Sequence, residues 1–170
     1  LLPSFRVLPE AKKDLGVFGQ LLQKGKDTVQ KIAERLDHET LNDEGETSAE
    51  NETSTILLLS VCGKNVLFTA DAGQRALNEA IVFLEKNNFD LSSLAFVQVP
   101  HHGSQRNIGP TILNKLIGPI QQSDAALKIA FVSCAPDGDP KHPSKKVSNA
   151  FRRRGAPIHA TQGSSKWQHH

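Results

Sequence analysis

Short apolar runs alternate with longer stretches of helical spacing in the part of the chain after residue 55. This pattern predicts elements in the order β-β-α-β-α-β-α-β, with Cys62–Lys64 as the turn of a hairpin. The predicted strands are Thr55–Val61, Asn65–Thr69, Leu94–Val99, Lys128–Ser133 and Ala156–Thr161. The predicted helices are Ala76–Glu85, Pro110–Ile117 and Ser144–Arg154. Leu94–Val99 and Lys128–Ser133 are continuously apolar, which is typical of strands buried on both faces. The sequence therefore predicts an α/β fold.

The first 55 residues follow a different pattern. Ser4–Leu8 predicts a short strand that stops at Pro9, and Leu15–Leu36 has helical spacing with a break near Lys24–Lys26. Residues 37–55 are acidic and polar with almost nothing to bury, which predicts a mobile loop. We therefore divide the chain into residues 1–50, a strand followed by a helical and acidic insertion at 10–50, and residues 51–170.

Composition places the chain among globular proteins, with 38% hydrophobic and 22% charged residues. Its longest apolar runs are far shorter than the roughly 20 residues of a membrane helix, so we expect no membrane segment. Two cysteines, Cys62 and Cys134, make no disulfide framework and favour a reduced, cytoplasmic location. A net charge of +2 argues neither for nor against nucleic acid. Because the chain has no Met, we expect it to be a piece of a longer polypeptide.

Three polar clusters follow directly after predicted strands. Asp71 lies in TADAG, His101 and His102 lie in PHHGS, and His142 lies in KHPS. The loops beyond the carboxyl ends of strands form the ligand crevice of α/β folds, so we expect these clusters to converge. Carboxylate oxygen and imidazole nitrogen are ligands of Zn²⁺, Mn²⁺ and Fe²⁺, and the pattern therefore predicts a metal site.

Each cluster also has a purely structural interpretation. Asp71 precedes a predicted helix and would serve as its N-cap, and adjacent histidines before Gly-Ser would form a turn. The full set in order, each in a loop after a strand, favours function over packing.

Five basic residues accompany the last predicted helix: Lys145, Lys146, Arg152, Arg153 and Arg154. The helix dipole alone favours arginine at a C-terminus, so the group is either a solvated helix end or a patch that contacts phosphates. Only the second interpretation predicts a nucleic-acid substrate with steep salt dependence.

Taken together, these motifs resemble the C-terminal half of a metallo-β-lactamase-fold hydrolase, of the branch found in DNA-uptake competence proteins. The resemblance covers roughly residues 51–162 and rests on TADAG, VPHHGS and KHPS, while Phe5–Pro9 resembles the preceding strand. It implies an αβ/βα sandwich of which this chain is the C-terminal half. The principal ligand motif of the family, H-x-H-x-D-H, does not occur here, and we expect it on a missing N-terminal half of the same polypeptide. Ala70 stands where the family usually has glycine.

The resemblance also implies roles for individual residues. Asp71 would bridge two divalent metal ions, with zinc preferred over manganese or iron. One histidine of the pair would be a terminal ligand, with His102 preferred and His101 beside it or on the substrate, and their order stays open. His142 would lie at the mouth of the site and bind substrate or stabilise a leaving group. Ser104 and the amides near Gly103 would hold a substrate oxygen.

The function that follows from the resemblance is metal-dependent hydrolysis through a metal-activated water. The expected substrates are phosphodiesters, nucleic acid among them, or esters. The alternative is a catalytically degenerate metallo-β-lactamase fold that serves as a scaffold or partner-binding module.

Overall fold

The computed structural model describes residues 22–26, 39–122, 127–138 and 141–163. The chain divides into two compact units, Leu1–Ile32 and Ala33–His170. In the first unit the described residues are 22–26, which are helical where the sequence predicted a break. The predicted strand Ser4–Leu8 and the rest of the predicted helix Leu15–Leu36 lie outside the described residues. Across the described ranges, no helix is long and apolar enough to cross a membrane.

The second unit is an α/β structure with a five-stranded mixed sheet flanked by helices. Its strands are β1 (Leu57–Val61), β2 (Lys64–Phe68), β3 (Leu94–Gln98), β4 (Ile129–Val132) and β5 (Ile158–Ala160), which lie side by side in chain order. β1 and β2 pair antiparallel, and the other neighbours pair parallel. The helices are Ala49–Glu52, Gln74–Lys86, Pro110–Leu116 and Lys145–Arg152, with 3-10 turns at Leu91–Ser93 and His101–Gly103. The predicted order of elements after residue 55 is confirmed.

The turn between β1 and β2 shows how local chemistry sets the hairpin. Val61 pairs with Lys64, which leaves two residues to reverse the chain. Both have positive φ, 50° at Cys62 and 74° at Gly63. Two-residue hairpin turns of the I′ type need this conformation because its twist matches that of the flanking strands. The hairpin was predicted correctly.

The core lies between the sheet and its helices. The strands contribute Leu67, Val97, Ala130 and Val132, and the helices contribute Leu77, Ile81, Leu113, Leu116, Val147, Ala150 and Phe151, all of them buried. The helical residues recur at intervals of three and four, so each helix turns one apolar stripe towards the sheet. This packing holds the strand ends, and the loops that follow them, in place.

A second face of the sheet is open in the described structure. It carries a row of rings, with centroid distances of 5.9 Å for Phe68–Phe96 and 5.5 Å for Phe96–Phe131. On the neighbouring edge strand, Leu57 is 52% exposed. In β3, Val97 is buried but Phe96 is only partly buried. The prediction that this strand is buried on both faces was therefore wrong.

The acidic stretch also differs from its prediction. Leu41 is buried, and Asp43 accepts hydrogen bonds from the backbone nitrogen (3.0 Å) and the hydroxyl (2.7 Å) of Thr111 at the start of a helix. Residues 49–52 form a short helix of their own. The expectation of a loop with almost nothing to bury was wrong for these residues, because their acidic side chains serve as helix caps and ion-pair partners.

The basic residues at the end of the last helix lie in unexpected surroundings. Arg154 is 1% exposed and donates to Glu39 (2.8 Å), Asn114 (2.9 Å) and the backbone oxygen of Ala150 (3.0 Å). Arg153 lies 2.7 Å from Glu39 and is nearly buried as well. Both interpretations of the cluster, a solvated helix end or a phosphate patch, were wrong for these two arginines. Arg152 is exposed.

Candidate active site

The three polar clusters meet at one edge of the sheet. Strands β2, β3 and β4 run parallel, so the loops at their carboxyl ends emerge side by side. The backbone nitrogen of His101 donates to the oxygen of Ala70 (3.1 Å), and the nitrogen of Ser144 donates to the oxygen of Gly103 (3.0 Å). The PHHGS turn is thus hydrogen-bonded to the loops on both of its sides.

Gln98, the last residue of β3, anchors the loop that carries Asp71. Its side-chain oxygen accepts from the backbone nitrogens of Thr69 (3.0 Å) and Ala70 (3.1 Å). In return, the Thr69 hydroxyl donates to the backbone oxygen of Gln98 (2.9 Å). These bonds continue the pairing of β2 and β3 beyond the last residue of β2 and set the direction in which the loop leaves the sheet.

Ala70 has a φ of 46°, in the left-handed region where a Cβ atom is unfavourable. This conformation gives a physical reason for glycine at the position. It turns the chain sharply before Asp71, whose side chain is 50% exposed.

The carboxylate of Asp71 does not cap the following helix. The N-cap of Gln74–Lys86 is Gly73, and the backbone nitrogen of Ala76 donates to Glu52 instead (2.8 Å). Glu52 comes from the short helix 49–52, so a residue of the acidic stretch satisfies this helix end. The N-cap interpretation of Asp71 was therefore wrong.

Asp71 and His101 lie close together. Asp71 Oδ1 and His101 Nδ1 are 4.0 Å apart, which is too long for a direct hydrogen bond. The His101 Nδ1 atom is buried and has no hydrogen-bond partner among the described residues. Two donors of one tetrahedral zinc ion, each about 2.1 Å from the metal, lie about 3.4 Å apart, so these two side chains would need to approach by a further half ångström or so to hold a single ion.

His102 points elsewhere. Its Nδ1 lies 2.7 Å from the backbone oxygen of Ser133, and its ring meets that of His101 edge-on with centroids 5.6 Å apart. Since a carbonyl oxygen only accepts, Nδ1 carries a proton, and in the neutral form of the ring Nε2 then has the lone pair. No three His, Cys, Asp or Glu side chains within the described ranges are grouped as a metal-binding set. The structure thus brings Asp71 and His101 together but leaves His102 outside the pair.

The KHPS loop packs directly against the PHHGS turn. A Cβ atom on Gly103 would lie 2.7 Å from Pro143 Cβ, and the φ of Gly103 is 80°, so only glycine suits this approach. His142 Nδ1 is buried without a hydrogen-bond partner in the described part of the chain. The Ser104 hydroxyl accepts from the backbone nitrogen of Arg106 (3.3 Å) and stays half-buried beside the turn.

Asn107, which no sequence pattern singled out, is central to this arrangement. It is 1% exposed, and its Nδ2 donates to the backbone oxygens of Asp71 (3.0 Å) and Ala72 (3.3 Å). No local pattern distinguishes a buried asparagine of this kind from a surface one. A signal exists only in the fold, where the two loops approach each other.

Cys134 lies behind the site, with its sulfur 3.6 Å from the backbone oxygen of His102. Burial raises the pKa of this thiol above its ordinary value of 9.0. Burial of this kind disfavours the thiolate form of the side chain.

A cleft of about 460 Å³ opens next to the PHHGS turn. Its walls are formed by residues 40–42 and 44–46, by Gln105 and Arg106, and by Lys146 at the start of the last helix. Its lining includes two acidic residues, Glu44 and Glu46, and two basic ones, Arg106 and Lys146.

Comparisons of the chain with protein-family models, with curated proteins and with solved structures find no match.

Proposed function

We propose that the protein is a metal-dependent hydrolase of the metallo-β-lactamase superfamily, with Asp71 and His101 as metal-binding donors. The observation that carries the proposal is the 4.0 Å approach of Asp71 Oδ1 to a buried His101 nitrogen that has no partner among the described residues. A buried polar atom without a partner is costly, and a bound cation would satisfy both groups at once. Of the two histidines in PHHGS, this geometry favours His101 as the ligand, whereas the resemblance favoured His102.

When bound, a divalent ion, zinc before manganese or iron, supplies a water of lowered pKa and polarises the bond to be broken. The residues of this chain position the metal-binding side chains and the substrate. His102 is an exposed residue whose Nδ1 is held by the backbone oxygen of Ser133, which leaves Nε2 free of this bond. In the proposal, further donors and the second ion are held by an H-x-H-x-D-H segment elsewhere on the polypeptide.

Ser104 and His142 are proposed as substrate-binding groups. Ser104 accepts one hydrogen bond from the backbone and can still donate its own hydroxyl proton to a substrate oxygen. His142 lies in the loop that packs on Gly103, so a substrate at the PHHGS turn would meet both side chains. Because the adjoining cleft carries as many acidic as basic side chains, the proposal keeps phosphodiesters, including nucleic acid, and esters together as substrates.

The proposal includes a fold for the complete domain, the αβ/βα sandwich. It is supported by the open apolar face of the sheet, where Phe68, Phe96 and Phe131 lie in a row beside exposed Leu57 and Leu59. Parallel sheets are normally covered on both faces. A second sheet layer from the same polypeptide would cover this face and complete the sandwich.

The proposal is tested on the intact polypeptide, by measuring its metal content by elemental mass spectrometry after incubation with Zn²⁺ or Mn²⁺. Hydrolysis of bis(p-nitrophenyl) phosphate and of single-stranded DNA is assayed in parallel. We expect bound metal and metal-dependent hydrolysis, both lost in Asp71→Ala and His101→Ala. His159→Ala removes a histidine from the far edge strand and should retain both.

A protein without bound metal, or an Asp71→Ala variant with full activity, would contradict the proposal. The alternative function is a catalytically degenerate scaffold or partner-binding module without metals. The metal measurement separates the two functions directly, because a scaffold binds no stoichiometric ion in any variant.

A further inference from the structure

We infer that Asn107 is a positioning residue that holds Asp71 against His101. The inference rests on the function proposed above and adds a residue that neither the motifs nor the resemblance includes. It begins from the fact that the Asp71 carboxylate is not anchored by the following helix, whose first turn is capped by Glu52 and Gly73.

The loop that carries Asp71 is held on both sides by a single turn. On one side the backbone nitrogen of His101 donates to the oxygen of Ala70 (3.1 Å). On the other side the Asn107 amide donates to the oxygens of Asp71 (3.0 Å) and Ala72 (3.3 Å). His101 is the proposed nitrogen ligand, and Asn107 holds the loop of the proposed carboxylate ligand. Both belong to the same seven-residue stretch, 101–107.

The Asn107 side chain has little freedom to leave this position. It is 1% exposed, the next residue, Ile108, is equally buried, and the Asn107 backbone nitrogen donates to the oxygen of Ser104 (3.3 Å). Because this buried amide is fixed, it holds the Asp71 loop at a set position relative to the PHHGS turn. Ala70 makes such support necessary, because its φ of 46° is a conformation that alanine does not favour by itself.

Removal of the amide would leave two carbonyl oxygens without their donor and would free Asp71 to move relative to His101. Residues that orient metal ligands typically contribute about 10- to 100-fold to metal affinity. We therefore expect Asn107→Asp, which keeps the shape but loses the donor, to weaken Zn²⁺ binding by about 10- to 100-fold. Asn107→Leu should do the same.

Gln74→Leu is the matched control. Gln74 is also a buried amide, and its Nε2 donates to two backbone oxygens, those of Asn42 (3.2 Å) and Arg106 (3.3 Å). It has a similar structural role but no bond to the Asp71 loop. Zn²⁺ affinity, measured by competition with a chromophoric chelator on the full chain, should stay close to that of the wild type in this variant.

A second measurement uses the metal-free protein. Amide hydrogen exchange at His101 reports the bond to Ala70, and it should be at least roughly tenfold faster in Asn107→Asp than in the wild type or in Gln74→Leu. Wild-type exchange at His101 in a folded Asn107→Asp variant would overturn the inference, as would wild-type Zn²⁺ affinity. If the wild type itself binds no Zn²⁺, the proposed function fails, and the exchange rates alone decide whether Asn107 holds the loop.

Discussion

Glu39 and Arg154 form an ion pair between residues 115 positions apart in the chain, with Arg154 Nη1 2.8 Å from Glu39 Oε2. The guanidinium is 1% exposed, and its other donors bond to Asn114 and to the backbone of Ala150. The pair ties the acidic stretch to the end of the last helix. One wall of the cleft beside the candidate site, residues 40–42 and 44–46, begins directly after Glu39.

Glu39→Ala should lower the free energy of unfolding by about 3 kcal/mol, because it leaves the buried charge of Arg154 without its partner. Urea denaturation measures this. The control is Glu79→Ala, which removes an exposed pair with Arg75 (side chains 73% exposed) and should cost about 0.5 kcal/mol or less. Equal losses in the two variants would contradict a buried role for Glu39.

The free energy of unfolding should fall as the pH is lowered, in part because the Glu39 carboxylate becomes protonated. Burial by itself raises the pKa of this carboxyl, but the hydrogen bond from Arg154 and the charges of Arg154 and Arg153 outweigh it, and the net shift is below the ordinary value of 4.5. A carboxyl with a lowered folded-state pKa contributes stability that is present above pH 4.5 and is lost as pH falls through the folded-state value.

Urea midpoints measured between about pH 3 and pH 7 test this linkage. The difference between the wild type and Glu39→Gln should be largest at neutral pH and should shrink below the ordinary pKa of 4.5. A difference that stays constant over the whole range would show that the ionisation of Glu39 does not contribute.

Ala70→Gly should stabilise the protein by about 0.5–1 kcal/mol, because glycine adopts the φ of 46° without the cost that a Cβ atom imposes. Ala72→Gly is the matched control two residues later. Ala72 is fully buried and its φ is not positive, so this change should destabilise by about 1 kcal/mol. Thermal unfolding distinguishes the two, and a loss of stability in Ala70→Gly would show that the loop is not held in this conformation.

Gly103→Ala should cost about 2 kcal/mol or more, since the new methyl group meets Pro143 and the φ is 80°. Gly63→Ala isolates the conformational part of this cost. Its φ is 74°, but no atom lies within 4 Å of the added Cβ, so about 1 kcal/mol is expected. Similar losses for the two variants would argue against close packing of the KHPS loop on the PHHGS turn.

His102 should be protonated on Nδ1 in its neutral form, because this atom faces the carbonyl oxygen of Ser133 at 2.7 Å. Long-range proton–nitrogen correlation spectra distinguish the two tautomers of each ring. His159, which lies exposed on the edge strand β5, is the internal reference. A neutral His102 that is protonated on Nε2 would contradict the hydrogen bond from Nδ1 to Ser133.

Local sequence determined the elements of the second unit. The periodicity of residues 74–86 and 145–152 and the Cys62–Gly63 turn depend on side chains that are neighbours along the chain, and each was predicted within two residues of its observed bounds. The sequence also predicted that the three polar loops converge, because parallel strands place their carboxyl ends at one edge of the sheet.

Tertiary structure alone decided which side chains meet within that edge and which polar residues are buried. Asn107 reaches the Asp71 loop across 36 positions, and Glu39 reaches Arg154 across 115. His101 lies beside Asp71, whereas the ring of its neighbour His102 bonds to the backbone of Ser133. Such contacts depend on how distant segments pack against one another, and no spacing within a single segment encodes that packing.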